Sequence, residues 1–178
     1  MKKLKKDTKQ FFDIFVRYII LVLIAIPNLW IFYFVFGPLT IYPVYFILNL
    51  FLDVSLIGNI AIINKIIAIE FIDACIAGAA YYFLLILNLS TSGIKPKKRI
   101  KMILFSFVSL LALNILRIFF LIMVFFLGFS FFDITHKLFW YFISTVFVVG
   151  IWFFQVRVFK IKGIPFYSDL KFLYKQIK

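Results

Sequence analysis

One cysteine and one histidine are all the chain has of either residue, and acids are scarce, with seven Asp and Glu against twenty Lys and Arg. A single cysteine excludes an internal disulfide, and one cysteine with one histidine cannot supply the four ligands of a structural zinc site. No cofactor motif, internal repeat or low-complexity tract is present. A removable signal peptide is not expected either, because the first apolar segment is too long and lacks a small-residue cleavage site.

What the chain has in excess is apolar surface. Of 178 residues 65% are hydrophobic, 27 of them phenylalanine, and the mean hydropathy is +1.10. A soluble domain is roughly 45–50% apolar. The composition, with runs near the ~20 residues that cross hydrocarbon, predicts an all-α integral membrane helical bundle of about four to five transmembrane helices, a single domain over 1–178. The net charge of +13 does not indicate nucleic acid. Seventeen of the twenty basic residues lie at Lys2 to Arg17, Lys95 to Lys101 and Arg157 to Lys178, where they flank apolar runs as cytoplasmic segments do. Anionic lipid head groups are a secondary contact for them.

With these basic stretches on one face, crossings between them are even in number. The expected spans are approximately 11–30, 74–89, 102–128 and 138–158, with the loop "FSFFDITHK" on the extracytoplasmic side. The stretch "GPLTIYPVYFILNLFLDVSLIG", over 38–57, reads as re-entrant or interfacial, since Pro38, Pro43, Asn49 and Asp53 weaken it as a span; a fifth span is the alternative. "NIAIINKIIAIEFIDAC" is too interrupted to cross. Its β-branched pieces around Asn64-Lys65 predict a small extracytoplasmic hairpin, with a surface-lying amphipathic helix as the alternative.

Three unusual residues then fall at one membrane level, although they come from separate parts of the chain: Cys75, Arg117 and His136. An arginine within a membrane-compatible helix costs about 2.5–3.5 kcal/mol on insertion scales and needs a reason. One reason is acyl transfer. His136 would act as general acid and base for a Cys75 nucleophile, and Arg117 would stabilise the thiolate or an oxyanion. Asn114, one turn before Arg117, could position the guanidinium or a substrate carbonyl. Gly78 would admit a close neighbour, and Asp133 could orient His136. Bland readings stand beside these. Cys75 could be a small hydrophobe, His136 an interfacial side chain, and Arg117 half of a structural ion pair with Asp73, Glu70 or Asp133. That last reading describes a non-catalytic small membrane protein, a transport or assembly factor. Against a transporter, the third and fourth expected spans hold no internal acid. Neither a Ser–His pair nor two aspartates within spans occurs to suggest other intramembrane proteases.

On "ACIAG", "LNILRI" and "THKLFW", in that order, and on "IAIPNLW" followed by "GPL", the chain resembles the exosortase/archaeosortase family of membrane-embedded cysteine transpeptidases over roughly residues 20–155. The resemblance implies an enzyme that cleaves the C-terminal sorting signal of exported proteins through a Cys75 thioester. It further implies transfer to a membrane lipid or lipid-linked amine, at a site facing outward from a multi-pass protein of the cell membrane. Whether water or an amine resolves the thioester is left open.

Overall fold

The computed structural model describes residues 2–177 apart from 127–131. Helix α1 (Lys2–Ala25) stops before Pro27, and a tight turn follows in which Asn28 and Leu29 both take positive φ. Helix α2 (Trp30–Asn49) therefore begins where the first expected span ends. Pro38 and Pro43 lie inside α2 and do not break it. The helix is apolar on every side and packs against α4 (Gly78–Leu89) and α5 (Pro96–Phe126), and this burial offsets the cost of the hydrogen bonds that the prolines remove. Of the stretch 38–57, residues 38–49 belong to α2 and its end forms a strand.

That strand, β1 (Val54–Ile57), pairs antiparallel with β2 (Ile60–Ile63), which pairs antiparallel with β3 (Ile67–Glu70). Gly58, at φ +60°, opens the two-residue turn between β1 and β2, where a tight hairpin requires a left-handed residue. Asn64 and Lys65 turn the chain from β2 into β3, again with positive φ. The architecture is thus helices with a three-stranded meander rather than all-α. The signal in the sequence was present but read too short: the alternating Val54-Ser55-Leu56-Ile57 was absorbed into the apolar run before it.

After the meander come a single turn α3 (Asp73–Ile76), a left-handed Ala77, and α4. Helix α5 starts at Pro96, where the missing N–H costs nothing. Helix α6 (Phe132–Leu138) passes through a π-helical stretch (Phe139–Ile143) into α7 (Ser144–Val158), and α8 (Tyr167–Ile177) closes the described chain. Only α2 and α5, among the described residues, are long and apolar enough to cross a membrane. The expected bundle of four to five transmembrane helices is corrected to this. Helix α4, at 12 residues, is about 18 Å long against a hydrocarbon core of about 30 Å, and α7 has 15 residues.

Two cores result. In one, Phe36 stacks on Tyr81 at 3.7 Å between ring centroids, and Phe107 meets both rings edge-on at 5.5 Å. Leu84, Leu110, Val148 and Ile151 surround them. In the other, Val54, Ala61, Ile63 and Phe71 of the meander region pack on Ile41, Val44 and Leu48 of α2 and on Ile118 and Ile122 of α5.

Beyond the first core, the C-terminus of α4 is buried and must satisfy its last carbonyls. Two arginines do so. Arg17 of α1 donates to the Leu89 and Thr91 carbonyls, and Arg99 of α5 donates to those of Asn88 and Leu89, each at 3.0 Å. Positive charge at a helix C-terminus is also favoured by the helix dipole. Arg17 is completed by Asp169 of α8 at 3.0 Å, an ion pair with both side chains almost fully buried, and by Asp13 one turn earlier at 3.1 Å. Alongside, Gln155 donates to the Asn88 side-chain oxygen, while the Asn88 amide donates to Ser106 and to the Leu84 carbonyl.

Breaking a buried pair from one side costs about 3–5 kcal/mol, because the remaining charge is left uncompensated. Asp169→Asn is expected to lower stability by that order in thermal unfolding of the detergent-solubilised chain. Arg17→Met is expected to cost more, since it also strips donors from two buried carbonyls. The reverse ranking would show that the carbonyl contacts contribute little.

Candidate functional site

The break between α3 and α4 organises the other end of the molecule. Ala77 takes φ 61° and ψ 38°, which interrupts the helical ladder and leaves the carbonyls of residues 74–76 in need of donors. Two polar residues in the second half of α5 supply them. Asn114 donates to Cys75 O at 2.8 Å and to Ile76 O at 3.4 Å. Arg117 donates through Nη2 to Cys75 O at 3.3 Å and to Ala74 O at 3.4 Å. Its Nη1 donates to Ser144 Oγ at 2.8 Å, and that hydroxyl donates to Phe139 O at 2.7 Å, at the opening of the π-helical stretch. Asn114 and Arg117 thus share a face of α5, and what they hold is main chain.

Gly78 starts α4 against the ring of Tyr33. A Cβ built at this position would lie 2.6 Å from that ring, so the close approach expected there is made by α2. Cys75, Arg117 and His136 all border one cavity of about 310 Å³, walled by Ile69, Phe71, Ile118, Leu121, Ile122 and Phe125, with Glu70 also on its border. The backbone of Asp133 belongs to α6, but its side chain lies outside the described residues.

The charge state of the thiol follows from its burial. Cys75 is half-buried and free, and loss of hydration pushes its pKa above the ordinary thiol value. A hydrogen bond to Ile72 and the charge of Arg117 offset that only in part. Burial thus disfavours the thiolate, the form that attacks as a nucleophile. Among the described residues no three His, Cys, Asp or Glu side chains group as metal ligands.

No family model matches the chain, and no curated protein or solved structure is similar to it. The three-stranded sheet and the buried Arg17–Asp169 pair correct the resemblance to exosortases and archaeosortases, and with it the cysteine protease/transpeptidase reading. The architecture is a helix and meander fold in which two helices, not four or five, have the length and hydropathy of spans. The guanidinium expected to serve an oxyanion is engaged with carbonyls and a serine, and burial pushes the Cys75 thiol away from the expected thiolate. A multi-pass location with an outward-facing active site goes with the same correction.

The ion pair considered for Arg117 is not formed with Asp73 or Glu70 among the described residues. The buried pair belongs instead to Arg17 and Asp169, which sequence reasoning counted only as members of basic segments. A signal was available: Arg17 interrupts "FFDIFVRYII" one turn after Asp13, and Asp169 is the only acid after Asp133.

The raised thiol pKa gives a pH profile. Alkylation of Cys75 by iodoacetamide is expected to be slow at pH 7, rising only above the range of a free thiol, whose pKa is about 8.5. Rapid modification at neutral pH would show a thiolate that the packing does not explain.

Proposed function

We propose that the chain is a non-catalytic small membrane protein, a transport or assembly factor. Its arginines act as structural clasps. The observation that carries this reading is the use made of two guanidinium groups, one half-buried at Arg117 and one buried at Arg17. Arg117 joins α5 to the α3 turn and to the start of α7, and Arg17 joins α1 to α4 and α8. Arg117 is held by two main-chain carbonyls and a serine hydroxyl, with its Nε left without a partner among the described residues, and contacts of this kind fix a side chain and contribute to shape. Apolar side chains left on the surface support the lipid or partner setting. Phe34, Phe46, Phe51, Phe153 and Phe154 are all well exposed, more than a water-facing protein of this size commonly displays.

The border that Cys75, Arg117 and His136 share follows from the capping arrangement itself. Asn114 and Arg117 bring α5 against the α3 turn, and Ser144 brings the start of α7, hence the end of α6, to the same place. Proximity of this kind arises from packing and requires no reaction.

Two measurements test the reading together. Arg117→Gln is expected to destabilise the fold by about 1–3 kcal/mol through unsatisfied carbonyls. Cys75→Ala is expected to change stability by about 1 kcal/mol, the centre of the range for single substitutions. Mass spectrometry of the protein from its native membrane is expected to show unmodified Cys75. A hydroxylamine-sensitive acyl adduct on that sulfur would overturn the non-catalytic assignment.

A further inference from the structure

We propose that the outward face of α8 docks on the surface of a bilayer rich in anionic phospholipid. Beyond the half-buried Phe172 and Leu173, the helix keeps a second set of apolar side chains in the open. Its acid, Asp169, is 1% exposed and points inward to Arg17, while Tyr167, Leu170 and Tyr174 are 56%, 63% and 61% exposed. These three recur at spacings of three and four, so they form one stripe. Lys171 and Lys175 are exposed beside it, and Lys171 Nζ lies 5.8 Å from the centre of the Tyr167 ring. An amphipathic surface helix normally turns its apolar stripe inward and its charges outward. This one presents an apolar, tyrosine-bearing stripe edged with lysine, the pattern of a helix lying at a lipid interface.

The charge around the stripe selects the occupant. Arg157, Lys160 and Lys162, on the segment leading into α8, are exposed as well. The one acid of the helix is turned inward, so the charged side chains that α8 and its approach show outward are cations. Hydrocarbon beneath fixed negative charge is what phospholipid offers and what nucleic acid does not. A second copy is a poor match, because seven acids against twenty bases leave it with the same sign of field. The helix is also held ready. The Phe166 N–H donates to Ser90 O at 3.0 Å, and a Cβ at Gly163 would lie 2.9 Å from Ser92 O, so the approach to α8 is pressed onto the loop after α4. Docking then needs no folding step, which preserves affinity.

The proposal is independent of the non-catalytic reading, and its test leaves that reading untouched. In a Cys75→Ala background, Leu170→Cys is labelled with the environment-sensitive fluorophore NBD. The full chain is then reconstituted in nanodiscs of phosphatidylcholine alone or mixed with phosphatidylglycerol. A blue shift confined to the anionic discs is expected, reversed by high salt. Lys171→Gln and Lys175→Gln are each expected to weaken docking roughly fivefold, as a basic residue near an anionic surface contributes. An emission unchanged between the two lipids overturns the proposal. If both are water-like, the stripe stays in solvent; if both are blue-shifted, lipid charge is not what the face recognises and protein or neutral lipid covers it.

Discussion

Helix ends buried in an apolar interior impose the constraint on which this fold rests. Carbonyls at a helix C-terminus have no partner within the helix, and burying them without donors costs about 1–3 kcal/mol each. The α3–α4 segment has two such ends: one at the break beside Ala77, the other where α4 stops at Leu89. Arg117 and Asn114 close the first, Arg17 and Arg99 the second. A guanidinium suits this task, since it offers five donors in a planar fork and keeps its charge. Lysine would bring a compact, strongly hydrated charge and fewer fixed directions.

From this constraint the packing follows. Because the capping residues come from α1 and α5, the α3–α4 segment is bound along its length to helices distant in sequence, and α5 becomes the element that touches α2, α4 and α7. Asp169 extends the connection to α8 through Arg17. The same interactions leave the cavity beside Cys75. Where the helix breaks, α5 is tied to the turn by long polar side chains, and the meander covers the opening with Ile69 and Phe71. The space is bounded by the groups that make the break stable.

The sequence made several of these elements legible and misled about others. The tight turn of Asn64 and Lys65 was readable because short polar residues between β-branched runs have few alternatives, and the meander has its second hairpin there. Asn114 and Arg117 stood out by their cost within an apolar run, and their shared face was legible from the spacing of three. Their partners were not. A side chain that binds main chain leaves no complementary letter in the sequence, so a reading that seeks partners among acids, thiols and imidazoles assigns the arginine to chemistry. Likewise Pro38 and Pro43 forecast a broken segment by local propensity, and tertiary packing of an apolar helix overrode it.

Arg17 shows the same blindness from the other side. Counted among lysines, it looked like one more topological charge, yet it is the most buried cation described, at 4% exposure. Pairing it with Asp169 draws the acid of α8 inward beside the half-buried Phe172 and Leu173, which leaves Tyr167, Leu170 and Tyr174 on the outside with lysine beside them. The outer face of α8 is therefore a consequence of the clasp at the far end of α4. A chain with abundant acids could have screened that face with a second carboxylate. This one, with seven in all, leaves it positive and apolar together. Internal capping and the character of the outer surface are thus set by one shortage.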